Sequence, residues 1–309
     1  MSEHALRMAL LAALGALGLY FAAVFIAGLR EVGTNAGRVR PTLQELVTGF
    51  VTVFFDTLGI GSFATTTAIF RAWRLVPDEL IPGTLNVGHA IESVLSAFVF
   101  IEVVPVAAST LIPMVAASAV GAWLGSGVVA GLPRDRIRLG MGVALIVAAS
   151  MMLMTQLGLF PAGADALGLD WPLLGLAVAG NFILGALMTL GIGLYAPCMI
   201  LVSLLGLNPK AAFPIMMGSC AGLMPMAAAR FVKTGRYHPS ASVGLTLGGI
   251  PALFIAAYLV KSLPLDAIRW LVIVVVFYTA STLIRAALKD RALVLRQAGD
   301  QRLSSLPTA

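Results

Sequence analysis

Two short stretches of this chain hold the residue types from which a polar site could be built. The first is FFDTLGIGSFATTT, residues 54–67, with an acid (Asp56), the pair Gly59-Ile60-Gly61 and the hydroxyls of Ser62, Thr65, Thr66 and Thr67. The second is GIGLYAPC, residues 191–198, in which Gly191-Ile192-Gly193 is followed by Pro197 and Cys198. A glycine inside a helix costs up to about 1 kcal/mol relative to alanine, and a close pair invites a break. Proline is tolerated in the first turn of a helix, where its missing N–H would be unpaired anyway. New half-helices are therefore expected to start near Ala196 and at Ser62, whose hydroxyl can cap. A helix starting at membrane depth presents unpaired N–H groups and a partial positive charge, so an anion is its natural occupant. For either glycine pair alone the competing reading is close helix packing through small residues; the recurrence together with Pro197 favours a site.

Ionisable and polar groups lie close by in sequence. Asn86, His89, Ser93 and Ser96 recur at spacings of three or four and share one helical face, with Glu92 three residues after His89. Charged groups in a membrane span face a cavity or a partner. His89 and Glu92 make a candidate proton-coupling pair, because imidazole changes charge near neutral pH; the alternative places Glu92 near the interface and His89 on a backbone carbonyl. Asp56 is expected to orient the first break by accepting N–H groups or to pair with an arginine, since a bound anion would be repelled by it. Gly218-Ser219 in MMGSCAG, residues 216–222, aligns with Gly83-Thr84 when three residues of slack are allowed, placing small and hydroxyl groups against the second break. Cys198 and Cys220, the only cysteines, and Met216, Met217, Met224 and Met226 read as packing residues without metal-ligand spacing. No metal and no cofactor is expected.

The elements that position these residues follow from composition. Of 309 residues 59% are hydrophobic and 11% charged, with a mean hydropathy of +0.97, outside the balance of a soluble domain. Crossing a ~30 Å hydrocarbon core takes roughly 20 residues. Stretches of that kind run over 8–29, 80–101, 104–131, 137–158, 211–229, 239–261 and 266–288, while 43–70 and 172–205 are too long for one straight crossing. The first exceeds the ~7–15 residues of a signal-peptide core and is read as a retained helix. The net charge of +6 lies in short clusters between apolar stretches, which speaks for orientation in a bilayer and against nucleic acid.

The sequence also repeats. Gly59-Ile60-Gly61, Pro77 and Pro82 return 132 positions later as Gly191-Ile192-Gly193, Pro209 and Pro214, and LPRDRIR at 132–138 returns as LPLDAIR at 263–269. Lys and Arg accumulate in cytoplasmic loops. The loop holding Pro77 is basic and the one holding Pro209 is not; Arg134, Arg136 and Arg138 face Leu265, Ala267 and Arg269 in the second copy. The expected fold is an all-α integral membrane protein of two inverted-topology helical repeats with discontinuous or re-entrant helices, plus an extra N-terminal helix. The segments are 1–40 (first helix and cytoplasmic loop), 41–160 and 161–290 (the two repeats) and 291–309 (a cytoplasmic tail). Inverted repeats with broken helices meeting at mid-membrane mark secondary transporters.

The Gly-x-Gly segment opening each half, the small-hydroxyl start of the next helix, the LP-x-D-x-IR element and the duplicated layout resemble the sulfite exporter TauE/SafE family of membrane permeases, over about residues 43–288. The resemblance implies movement of sulfite, sulfonates or related sulfur-containing anions across a bacterial inner membrane; His89 and Glu92 depart from the family pattern. The expected function is a secondary transporter, an exporter of a small sulfur-containing anion by alternating access, coupled to protons or another ion. A passive channel with the same site is the nearest alternative. An intramembrane enzyme built on Cys198, Cys220, Ser219 and His89 lacks a G-x-S-x-G or H-E-x-x-H motif, and no ATP-binding phosphate loop is present. The expected substrate site is Gly59, Gly61, Ser62, Thr65 and Thr66 on one side and Gly191, Gly193, Cys198, Gly218 and Ser219 on the other, with Asn86 and His89 at their junction and His89, Glu92 and Asp56 as proton-coupling candidates. The expected partners are the anion and the lipid bilayer; the outer apolar faces suit lipid or a second copy in a homodimer.

Overall fold

A computed structural model describes residues 3–36, 39–57, 61–159, 165–191, 193–259, 270, 273–274, 276–289 and 291. Helices dominate: α1 (Glu3–Ala36), α2 (Leu43–Thr57), α3 (Ser62–Trp73), α4 (Ile81–Val103), α5 (Ala108–Gly131), α6 (Arg134–Gln156), α7 (Leu173–Met188), α8 (Tyr195–Leu204), α9 (Ala212–Lys233) and α10 (Pro239–Leu259). Single 3-10 turns, Asp78–Leu80 and Pro209–Ala211, lead into α4 and α9. Six of the described helices are long and apolar enough to cross a membrane, as expected of a multi-pass helical membrane protein. Within 43–70 and 172–205 the helix is interrupted, between α2 and α3 and between α7 and α8. The second LP-x-D-x-IR copy and the tail after residue 291 lie outside the described residues.

The centre of the molecule is α4 against α9. Of their most apolar windows 72% and 89% is buried, against 22% for α1, which lies on the outside against α4 and α9. The remaining packing runs in matched pairs: α2 on α10 and α7 on α5, then α10 on α4 and α5 on α9. Both outer pairs close on glycine. Gly121 and Gly125 of α5 press on the backbone of α7 at Phe182 and Ala186, and Gly244 and Gly248 of α10 press on α2 at Glu45 and Leu46. Each is a small-xxx-small seam, which lets two helix backbones approach where lipid offers no hydrophobic drive for association.

Local signals in the sequence explain the helix starts. The Thr42–Glu45 pair forms a capping box on α2: the Thr42 N–H donates to Glu45 Oε2 at 2.7 Å and the Glu45 N–H to Thr42 Oγ1 at 3.3 Å. The Ser240 hydroxyl donates to the same carboxylate at 2.8 Å and ties α10 to α2.

Loops gather at two ends. At the basic end Arg138 donates to Asp78 Oδ2 at 2.7 Å, Arg71 forms an ion pair with the same oxygen at 2.7 Å, and Arg236 donates to Leu132 O at 3.0 Å. At the other end the Asn208 N–H donates to Ala166 O and the Ala107 N–H to Leu167 O, both at 2.7 Å, with Glu3 and Arg7 of α1 bonded to Ala108 and Val106.

Candidate functional site

The two interruptions meet. Gly61, at φ +87°, leads into α3, and Gly191, at φ +96°, follows α7; in this left-handed region a side chain is strained, so glycine is required at both. Gly61 faces the Tyr195 ring, with 3.8 Å to the nearest ring carbon from where a Cβ would stand. Tyr195 opens α8, and its hydroxyl donates to Asp56 Oδ2 at 2.9 Å, joining two breaks that are 139 residues apart in sequence. The other oxygen of Asp56 accepts the Ser62 N–H at the start of α3. The cap of α3 is thus the Asp56 carboxylate. The expectation that the Ser62 hydroxyl caps is corrected here: Ser62 is already the first helical residue, and no side chain caps from Gly61. A carboxylate serves better in that place because it meets both the free N–H and the positive end of the helix dipole.

Around this junction lies a narrow cavity of about 10 Å³, room for about one water molecule. Asp56, Ser62, Phe63, Glu92 and Ser93 line it from one side, and Met188, Gly193, Leu194, Tyr195, Cys220 and Met224 from the other. Glu92 sits midway along α4 and is 2% exposed, so it is no interfacial residue. His89, one turn earlier, is fully buried; its Nε2 lies 3.3 Å from Thr66 Oγ1 and its Nδ1 3.5 Å from Glu92 Oε1. The second distance is long for a hydrogen bond and leaves Nδ1 without a partner of that kind. Asn86 turns its amide onto Pro82 O at 2.8 Å and keeps Oδ1 buried and unpartnered. Three ionisable groups and a tyrosine hydroxyl thus converge at the junction, and no Lys or Arg lines the cavity among the described residues. Together these groups can hold, exchange and relay protons, and they offer an incoming anion hydrogen-bond donors with no fixed positive charge.

The expected site residues fall into three groups. Gly61, Ser62, Gly193, Asp56 and Glu92 border the junction, with Thr66 and His89 directly behind Glu92. Thr65 turns its hydroxyl back to Gly61 O and Ser62 O, and Cys198, though buried, does not line the cavity. Gly218 and Ser219 look the other way: Gly218 packs toward Val115, and the Ser219 hydroxyl accepts the Asn181 amide at 2.7 Å. At 3.6 residues per turn Met217, Cys220 and Met224 share one face of α9, and it is this face that meets the junction. Gly59 lies outside the described residues.

Phe63, Met188, Leu194 and Tyr195 are not singled out by residue type, Ser93 is placed only on a polar helical face, and Cys220 and Met224 read as packing residues, yet the spacing of the sequence already holds a signal. Asp56 and Met188, Ser62 and Leu194, Phe63 and Tyr195, and Glu92 and Met224 stand 132 positions apart, as the glycine pairs do. No protein-family model matches the chain, and no curated protein or solved structure is significantly similar to it.

Proposed function

We propose that this chain is a proton-coupled secondary transporter of a small sulfur-containing anion such as sulfite or an organosulfonate, working by alternating access between two inverted repeats. The observation that carries the reading is the Tyr195–Asp56 hydrogen bond at 2.9 Å, which puts two helix breaks and a cluster of buried ionisable groups at one place inside a membrane-protein core. Discontinuous helices meeting at the bilayer midplane are the usual makings of a transport site. The inverted repeat draws support from the matched helix pairs, since exchanging α2, α4 and α5 for α7, α9 and α10 maps the main helix contacts onto one another. It draws further support from the loops, because Asp78 and Asn208, which begin equivalent turns, are bonded at opposite ends. The substrate class is taken from the resemblance of the sequence motifs to the sulfite exporter TauE/SafE family. The basic end and the C-terminus are then cytoplasmic, in a bacterial inner membrane.

Charge dictates the coupling. A unit negative charge about 4 Å from an ionised carboxylate is repelled by roughly 4 kcal/mol at an effective dielectric of 20. An anion therefore enters when Asp56 and Glu92 carry protons, and leaves as they lose them. Protonated carboxyls and the Tyr195 hydroxyl then donate to the anion, and the N-terminal ends of α3 and α8 add their partial charge. Because the cavity admits about one water, the conformation described is closed, and substrate access requires the two breaks to separate.

In proteoliposomes, labelled sulfite should accumulate saturably and faster when a pH gradient is imposed. Flux no greater than that of empty vesicles for sulfite and several sulfonates would overturn the reading; flux that never runs against a gradient would reassign the same site to a channel. One observation favours a second reading: two carboxylates without a facing Lys or Arg would, when ionised, select a small inorganic cation. Labelled sodium or potassium flux without any sulfite flux would decide for it.

A further inference from the structure

Helix α1 precedes the repeated part of the sequence and stands away from the cavity, yet it is fastened along its length. Near its start Arg7 donates to Val106 O at 2.7 Å and Glu3 accepts the Ala108 N–H at 3.1 Å; further on Gly28 passes against Val232 and Tyr237. Between these attachments α1 stands off α5 and leaves a groove with α9 at its floor. The first part is a cavity of about 370 Å³ whose walls include Leu10, Leu14 and Leu17 of α1 and Ile112, Ala116 and Ala119 of α5, all of its lining being apolar. One turn further along the same three helices comes a second cavity, of about 300 Å³, bordered by Tyr20, Trp123, Arg230 and Lys233.

We propose that this groove binds an anionic phospholipid, with an acyl chain along α1 between Leu6 and Leu17 and the phosphate between Arg230 and Lys233. The dimensions agree: at 1.5 Å per residue the apolar stretch is about 16 Å long, close to the ~15 Å hydrocarbon depth of one leaflet. The second cavity has the composition of a headgroup site. Arg230 lies 5.7 Å from the Trp123 ring and Lys233 5.9 Å from the Tyr20 ring, with Lys233 Nζ 3.2 Å from the Tyr20 hydroxyl and Arg230 Nη1 3.2 Å from Trp123 O. Among the described residues neither cation is paired with a carboxylate. Cations at the edge of hydrocarbon call for an anion, and the bilayer supplies one as lipid phosphate. A free anion would answer the charges and leave the apolar groove unfilled, whereas a neutral lipid would fill the groove and leave the charges unanswered. The helix outside the repeat thus acquires a task as one wall of a lipid site, independent of what the central cavity transports.

The test uses the full chain in mild detergent, stripped of co-purified lipid, with its thermal midpoint followed as phosphatidylglycerol, phosphatidylcholine or inorganic phosphate is added. Phosphatidylglycerol should raise the midpoint saturably, and the other two should not. Replacing both cations (Arg230→Gln with Lys233→Gln) should weaken the response on the order of thirty-fold, at about five-fold per cation. Ala116→Phe fills the groove while leaving both cations, and should weaken it as well. Native mass spectrometry of the unaltered chain, with equal amounts of the two lipids, reads the same preference without any variant and should show phosphatidylglycerol retained. Equal stabilisation or equal retention of the two lipids, a full effect of phosphate alone, or an undiminished response in a folded variant would each overturn the proposal.

Discussion

Asp56, Ser62 and Phe63 border one side of the junction, and 132 positions later Met188, Leu194 and Tyr195 border the other. The backbone devices on the two sides match: an interrupted helix, a glycine of positive φ, a short 3-10 turn leading into a central helix, and a glycine seam on an outer partner. The side chains do not. One side presents carboxylates and hydroxyls, with His89 behind Glu92; the other presents sulfur, aliphatic carbon and a single phenol, with Met224 standing 132 positions after Glu92. Geometry is thus held in common while titratable chemistry belongs to one half. In the proposed cycle the first half takes up and releases protons, and the second provides a polarisable wall and one hydrogen-bond donor that senses the state of Asp56.

The most damaging test of this asymmetry is Asp56→Asn, which keeps an acceptor for the Ser62 N–H, turns an amide donor toward the Tyr195 oxygen and removes the proton site. Proton-driven sulfite accumulation in proteoliposomes should fall on the order of 100-fold, the size of effect seen when one preorganised polar group is deleted from a working site. A comparable loss in Met188→Leu would break the asymmetry. The shared scaffold is tested next by Gly121→Val and Gly248→Val, whose side chains would run into the Phe182 and Leu46 carbonyl oxygens. Each should cost roughly 1–3 kcal/mol by overpacking, read as a fall in thermal midpoint. Similar losses sharpen the equivalence of the two seams, and a tolerated Gly248→Val beside a collapsed Gly121→Val would end it. Tyr195→Phe makes the second half resemble the first at that position and deletes one hydrogen bond, worth about 1 kcal/mol, or roughly a five-fold drop in transport rate with folding retained. Last comes Asp78→Asn at the basic end, where the Arg71 and Arg138 contacts have no counterpart at Lys210 among the described residues. These side chains are partly exposed, so the loss in stability should be about 1 kcal/mol or less, measured by denaturation in detergent.

The sequence made some of this architecture plain and left some of it dark, for physical reasons that differ by residue. The interruptions between α2 and α3 and between α7 and α8 announce themselves because glycine and proline act through the local backbone, whatever surrounds them. Asp56 as an acceptor of N–H groups was legible for the same reason, being close in sequence to the helix it caps. The face of α9 that meets the junction was not legible. Gly218 and Ser219 have the composition of a binding segment, but rotation about the helix axis is fixed by Asn181, Ser118 and Val115 on neighbouring helices, which turn Cys220 and Met224 inward instead. Reading the chain by the 132-residue displacement alone, without allowing slack, would have aligned Glu92 with Met224 and pointed to the correct face.

The hydrogen bond from Ala108 to Glu3 spans 105 residues. A ribosome adding about 5–20 residues per second needs roughly 5–20 s to bridge that interval. For that time the leading helix has emerged while the segment that receives its end is still being made, and its inner face must be shielded by lipid or by the insertion machinery. Final attachment of this end of α1 is therefore a late event in biogenesis, although the helix is synthesised before the segment that receives it.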